Sequence, residues 1–254
     1  MIENPEPTDW KELQSGVCRI FNEIGLKAEQ DKEIKTPRGK VSLDVFAIDP
    51  GSVDNIQYVV ECKNWKSFIP QSVVHSFTTV MHEVGANIGY IVSQHGLQKG
   101  AIDYIRNTNI KGVTYSDFQK HYLGKWIDHH FCPTLGNAAD SLMQYTEPFN
   151  SRRERYKSKL SSKLQENFIE LYNRYNVFGM NLSMISARRL MPQMIPRTDI
   201  STDKLNQIIA ETIGKEHIIE THYLGIYLEK LILLVQEITD MFTSIFGKDI
   251  FAQP

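Results

Sequence analysis

Two short runs of this sequence hold its most reactive combination of side chains: Ser42-Leu43-Asp44-Val45-Phe46 and Val59-Val60-Glu61-Cys62-Lys63. Each sets a carboxylate inside an apolar stretch. Side chains alternate along a strand, so Glu61 and Lys63 share one face while Cys62 takes the other. A hairpin between the two runs brings Asp44 beside Glu61. Unpaired carboxylates in apolar surroundings are costly, so these two call for a partner or a metal. An oxygen-preferring dication removes their mutual repulsion. Mg²⁺ binds this way, through one or two carboxylates, waters and phosphate oxygens. A neighbouring lysine orients a water or stabilises charge on phosphate, and the metal acidifies that water and clamps the phosphoryl group. Together these are the parts of a phosphodiesterase.

The elements that must position these residues show as changes of hydrophobic period. Trp10, Leu13, Val17, Ile20, Phe21 and Ile24 recur at helical spacing, with Asp9 as N-cap and Gly25 as stop. Lys27–Lys35, Val41–Ile48 and Ile56–Lys63 read as strands, separated by Thr36-Pro37-Arg38-Gly39 and Asp49-Pro50-Gly51. Val73 to Val84 reads as a helix closed by Gly85, and Ile88–Ser93 as a buried strand. Ala101, Ile102 and Ile105 mark another helix, and Gly112–Tyr115 a last strand. The order α-β-β-β-α-β-α-β implies an α/β fold with a mixed sheet flanked by helices.

Residues 126–150 read as a linker, punctuated by Pro133, Gly136 and Pro148. Beyond it, Arg152–Tyr175, Asp203–Ile213 and Glu216–Phe246 read as helices. The expected organisation is therefore an α/β domain over residues 1–125 and an all-α domain over 151–254. The last helix is apolar over most of its circumference, which places it in a bundle or a subunit interface. A homo-oligomer built through the C-terminal helices is expected.

Composition narrows the class. The chain has 254 residues, 41% of them hydrophobic and 23% charged, with a net charge of −2. This excludes a histone-like basic protein and an acidic disordered tail, so a nucleic-acid partner must be gripped by a local patch. The three scattered cysteines, Cys18, Cys62 and Cys132, exclude a disulfide framework and suit a reducing compartment. No basic start leads into an apolar core, as a signal peptide requires. The apolar run Leu231–Val235 is far short of the roughly 20 residues a bilayer demands. A soluble, cytoplasmic protein with no membrane partner is expected.

Asp44 with Glu61-x-Lys63 resembles the PD-(D/E)xK nuclease signature, and the surrounding elements resemble the Mrr-type branch of restriction endonuclease-like proteins. Trp10-Lys11-Glu12-Leu13 is similar to that branch's first helix, which carries an acidic residue before a helix-ending glycine. Val60-Glu61-Cys62-Lys63-Asn64-Trp65 is similar to its E/Q-C-K strand with a following aromatic. Gly89-Tyr90-Ile91-Val92-Ser93 and Lys99-Gly100-Ala101 resemble its later strand and helix. The resemblance covers about residues 8–118, and it departs in the lead-in to Asp44, where the glycine-rich segment is reduced to Arg38-Gly39-Lys40-Val41-Ser42-Leu43. It implies a Mg²⁺-dependent endonuclease acting on DNA, with Mn²⁺ substituting, in a family many of whose members defend against foreign DNA. It further implies that Asp44, Glu61 and the Cys62 backbone carbonyl hold the metal while Lys63 positions the water. The alternative is a non-catalytic nucleic-acid-binding or interaction module that keeps the nuclease fold.

Several residues carry two readings. Glu12 completes a capping box with Asp9, yet it lies off the apolar stripe and so is also a candidate for the catalytic site. Gln71 and His75 open a helix, either as its polar first turn or as contacts to nucleic acid. His121, His129, His130 and Cys132 match no common zinc spacing. Between Arg152 and Lys163 six cations, Arg152, Arg153, Arg155, Lys157, Lys159 and Lys163, stand against the single acid Glu154. That run is either a phosphate-binding face, with Arg152, Arg153 and Arg155 at its head, or a solvated helix surface.

Overall fold

The computed structural model describes residues 1–37, 39–190, 193, 196 and 200–252. The chain divides into two compact units, Glu3–His129 with Met1, and His130–Pro254 with Ile2. Arg38, expected in a turn, lies outside the described residues.

The first unit is built on a five-stranded sheet in the order β1-β2-β3-β4-β5: Lys27–Thr36, Gly39–Ile48, Gln57–Lys63, Ile88–Ser93 and Ile110–Thr114. The first three strands are antiparallel; β3, β4 and β5 run parallel. Helices α1 (Trp10–Glu23), α2 (Gln71–Val84), α3 (Lys99–Ile105) and α4 (Tyr115–Trp126) complete it. This is the mixed, helix-flanked sheet that the sequence implies, a restriction-endonuclease-like arrangement.

Local chemistry explains these elements. Asp9 caps α1 by accepting the Glu12 N–H at 2.8 Å, and Gly25 turns the chain out with φ +92°. Leu13, Val17, Ile20 and Phe21 of α1 are fully buried. Phe21 meets Phe118 at 5.3 Å and Tyr122 at 5.4 Å between ring centroids, and Tyr90 of β4 joins the same aromatic cluster. A second core gathers Leu43, Phe46, Val59 and Ile91 of the strands with Val74, Phe77 and Met81 of α2. Gly89 is required there: a Cβ would fall 2.7 Å from Met81 Sδ and from the Phe77 ring.

The second unit is helical, with α5 (Cys132–Thr146), α6 (Ser151–Lys157), α7 (Ser162–Ser186), α8 (Thr202–Thr212) and α9 (Leu224–Phe246). Here the reading of 126–150 as a linker is corrected: a π-helical turn, Ile127–Phe131, leads directly into α5. Its apparent breakers have helical uses. Pro133 occupies the first turn, where a missing N–H costs nothing. Gly136 and Gly179 admit close approach of α5 and α7, since a Cβ would meet Ser186 Cβ at 3.1 Å and Thr146 Oγ1 at 2.6 Å. The segment expected as one helix over Arg152–Tyr175 is two, α6 and α7, with Ser161 capping the second.

Helix α9 buries Tyr227, Leu228, Leu231, Val235, Ile238 and Phe242 within its own unit, against α5 and α7. A linker in place of α5 would leave α9 without half of this cover, which is why the sequence points so strongly to a subunit interface. Among the described residues no helix is long and apolar enough to cross a membrane.

Arg153, expected as a contact to nucleic acid, is corrected as well. It is buried, donating from Nη1 to the Tyr145 and Glu147 carbonyls at 3.0 and 2.6 Å, pairing with Glu154, and lying over the Phe168 and Tyr172 rings. Its guanidinium closes the exposed end of α5 and has no free face. Arg153→Ala strands two carbonyls and should cost about 2–4 kcal/mol of stability, whereas exposed Arg155→Ala should stay within about 0.5 kcal/mol. Urea denaturation of the two variants checks this by comparison of midpoints.

Candidate active site

The site grows from the place where the β2–β3 ladder stops. The last paired residues are Val45 and Val60, and one step further the register sets Asp44 against Glu61. There the side chain takes over from the backbone: Asp44 Oδ2 accepts the Cys62 N–H at 2.7 Å. On the other flank, between the pairs Gln30–Val45 and Lys32–Leu43, Asp31 stands opposite Asp44 with left-handed backbone, φ +50°. Asp31, Asp44 and Glu61 thus form one cross-strand row of acids.

Gln14 braces this row from α1. It is 1% exposed, and its Nε2 donates to Asp31 Oδ1 at 2.9 Å and to the Asp44 carbonyl at 2.5 Å. Gln14 is absent from the residues expected at the site, although its place next to the apolar stripe of α1, beside Leu13 and Val17, was a usable signal. A polar side chain at a buried position must have a partner.

Glu61 and Lys63 lie on one face, as alternation predicts, and form a direct ion pair. Burial raises the Glu61 carboxyl above its ordinary range; Lys63 opposes this and the Asp44 charge adds to it. Burial alone would lower the Lys63 ammonium, but its bond to Glu61 and the Asp44 charge outweigh it and raise Lys63 overall. Cys62 points into the core, where burial first, then the charges of Asp44 and Glu61, push its thiol well up. Its side chain is a neutral packing group, and only its backbone faces the acids.

Asp44, Cys62 and Lys63 line an open pocket of about 390 Å³ with Thr8, Asp9, Trp10, Asn64 and Trp65. The Pro7 carbonyl accepts from Asn64 Nδ2 and Gln94 Nε2, both at 3.3 Å, which ties the start of α1 to the ends of β3 and β4. Trp10 and Trp65 are 51% and 42% exposed on the pocket wall. The sequence assigned Trp10 to the buried stripe, and its exposure here is a departure.

Glu12 is not on the wall. Its Oε2 accepts from Thr8 N and Oγ1, both at 2.7 Å, and those bonds lower its carboxyl. It braces the capping turn through Thr8, while Asp9, the N-cap, is the acid that reaches the pocket. Gln71, the first residue of α2, is exposed and bonded to His75 Nε2 at 3.1 Å, and it is not among the pocket residues. Arg152 and Arg155 lie in the second unit and are exposed.

The donor set fits a hard dication. Asp44 Oδ1 and Glu61 Oε2 have no hydrogen-bond donor among the described residues. On the same wall Asn64 Oδ1 is buried without a donor. Three or more clustered His, Cys, Asp or Glu ligands are absent among the described residues, and Mg²⁺ does not require them, because waters and phosphate oxygens complete its shell.

Residues 6–121 match the family model described as restriction endonuclease, the Mrr-type catalytic domain. Over these residues the chain is similar to that family. The match spans the sheet, the Asp44–Glu61–Lys63 cluster and the capping turn of α1. No curated protein matches the chain. A solved structure described as the crystal structure of protein of unknown function AF1548 aligns with 94% of this chain and 99% of its own, at 11% identity and a TM-score of 0.35.

Because Asp44 also completes the sheet, its variants should separate two roles. Asp44→Asn keeps an oxygen for the Cys62 N–H and should hold stability within about 1 kcal/mol, whereas Asp44→Ala leaves that donor orphaned and should lose about 1–3 kcal/mol. Thermal melting without added metal checks this. Equal melting temperatures for the two variants would remove the structural role assigned to the Oδ2 bond.

Proposed function

We propose that the chain is a Mg²⁺-dependent endonuclease that hydrolyses DNA phosphodiester bonds, with its first unit as the catalytic domain. One observation carries this reading: two carboxylates stand side by side on adjacent strands, each with an oxygen free of protein donors, next to a lysine that lines an open pocket together with Asp44. The family match supports nuclease chemistry and a DNA substrate. Asp44, Glu61 and the Cys62 carbonyl are the groups that would hold Mg²⁺, and Mn²⁺ would substitute. Bound there, the metal supplies an acidified water and neutralises phosphate charge.

Lys63 sits at the same face and is held protonated by Glu61 and Asp44. It orients the attacking water and stabilises the charge that develops on phosphate. Trp10 and Trp65 give flat apolar walls against which a nucleotide can rest. Gln71, at the start of α2, is assigned as a contact to the DNA backbone, and so are Arg152 and Arg155 of the second unit. A role in defence against foreign DNA accords with the family resemblance. We assign the helical unit to oligomerisation or regulation. Leu233 of α9 is 63% exposed, and Val177, Met180 and Met184 form an exposed stripe on α7, so apolar surface remains for a second copy.

Supercoiled DNA incubated with the protein should be nicked or linearised with Mg²⁺ or Mn²⁺, and EDTA should stop it. Asp44→Asn should abolish cleavage; undiminished activity would sink the site. Binding without cleavage in every metal tested would favour the non-catalytic module. Lys63→Met should lower turnover by about 10²–10³-fold while sparing Mg²⁺ affinity, which Glu61→Gln should weaken more. Calorimetric titration of the two variants separates them. For the oligomer, light scattering should give a multiple of the monomer mass that Leu233→Glu reduces. A monomeric parent protein would refute it.

A further inference from the structure

The second unit carries a charged and aromatic corner of which the catalytic reading uses only Arg152 and Arg155, as contacts to the DNA backbone. Arg152, Arg155, Lys159 and Lys248 are exposed, and no carboxylate pairs with any of them among the described residues. Their contacts are instead with rings. Arg155, Lys159 and Lys248 surround Tyr156 at 5.9, 5.8 and 5.4 Å, and Arg152 lies 5.9 Å from the centre of the Phe251 ring. Four like charges gathered here, none of them paired with a carboxylate, repel one another, and an anion would relieve that repulsion.

Next to them lies a pocket of about 440 Å³ walled by Phe149, Phe251, Arg152 and Gln144. Phe149 is 93% exposed, an unusual position for so large an apolar side chain. The Gln144 amide has no hydrogen-bond partner among the described residues, so both its donor and its acceptor are free for a ligand. The wall's one carboxylate, Glu147, is bonded to Asn150 Nδ2 at 2.6 Å. A second hollow, lined by Ser151, Arg152 and Arg155, continues from the first through their shared Ser151 and Arg152.

Aromatic walls, a free amide and an adjoining cationic track together match the chemistry of a single nucleotide strand. We propose that this corner binds an unpaired segment of nucleic acid, its base against Phe149 and Phe251 and its phosphates on Arg152, Arg155, Lys159 and Lys248. The inference rests on the reading of the protein as a nuclease and extends it by giving the helical unit a substrate-holding surface. A double helix does not satisfy the pocket, because its bases are stacked and paired. Stacking on aromatic side chains is sequence-tolerant, so Gln144 would supply only a modest base preference.

The test is fluorescence anisotropy of the full chain in EDTA with three labelled probes: short oligothymidylate, an abasic strand of equal length, and duplex DNA. Oligothymidylate should bind more tightly than the abasic strand or the duplex, and Phe149→Ala should weaken it by about 5- to 150-fold and erase that preference. Arg155→Ala with Lys248→Ala should weaken both single strands and reduce the salt slope by about 0.7 for each phosphate that is no longer neutralised. Equal binding of oligothymidylate and abasic strand by the parent, or no effect of Phe149→Ala, overturns the base pocket. So does binding to anionic phospholipid vesicles that Phe149→Ala reduces while oligothymidylate fails to bind. The readout needs no cleavage, so it can succeed in a protein that cuts nothing and fail in an active nuclease.

Discussion

The hydrogen bond from the Cys62 N–H to Asp44 Oδ2 ends one kind of structure and begins another. Up to Val45 and Val60 the strands satisfy each other through backbone groups. Beyond that pair a carboxylate replaces a carbonyl as acceptor, so an acid becomes part of the sheet's framework. The replacement fixes where Asp44 can be, because a buried backbone donor left unmade is costly. With Oδ2 committed, Oδ1 is presented to the pocket from a position that packing cannot easily relax. Gln14 locks the same residue from behind by holding its carbonyl, and it anchors Asp31, the strained neighbour in β1, with the same amide.

That framework concentrates negative charge, and the concentration shapes its surroundings. Burial raises Glu61, so its proton is held more tightly in the folded chain than in the unfolded one. Glu61 therefore favours folding at low pH, and this contribution is lost as pH rises through its raised value. Lys63 is the built-in compensation. Its ammonium is held charged against its own desolvation by the acids that need it. The three groups form a coupled unit in which Asp44 and Lys63 line the pocket and Glu61 pairs with the lysine, a configuration suited to a phosphate ester and a dication.

The sheet was legible because its signals are local: period two in the strands, period 3.6 in the helices, and Gly25 and Gly85 at helix ends. The acids were legible because charge inside the apolar runs around Asp44 and Glu61 is conspicuous. Asp9, Asn64 and Trp10 were not, since each reaches the pocket only through tertiary placement of the α1 start against the ends of β3 and β4. Glu12 shows the converse: it is an acid in the expected helix, and Thr8 makes both bonds to its carboxylate oxygen. The largest misreading, helix α5 as linker, arises because Pro133 and Gly136 look like breakers. A proline in a first turn and a glycine at a helix crossing leave the same mark on a sequence as a loop does.

The run of cations from Arg152 to Lys163 shows why counting charge cannot assign function. Helical spacing divides it: Arg153 and Lys157, one turn apart, both turn toward Phe168 and both pair with Glu154. Both neutralise Glu154, Arg153 also closes the end of α5, and neither is fully exposed. Arg152 and Arg155 fall on the other side of the same turns and remain exposed, with Lys159 just past the helix end and Lys248 brought in from beyond α9. A patch that looks sequential is thus assembled from two distant parts of the chain, after its strongest sequence members are subtracted. What the fold leaves exposed, rather than what the composition supplies, determines whether the unit can hold a polyanion.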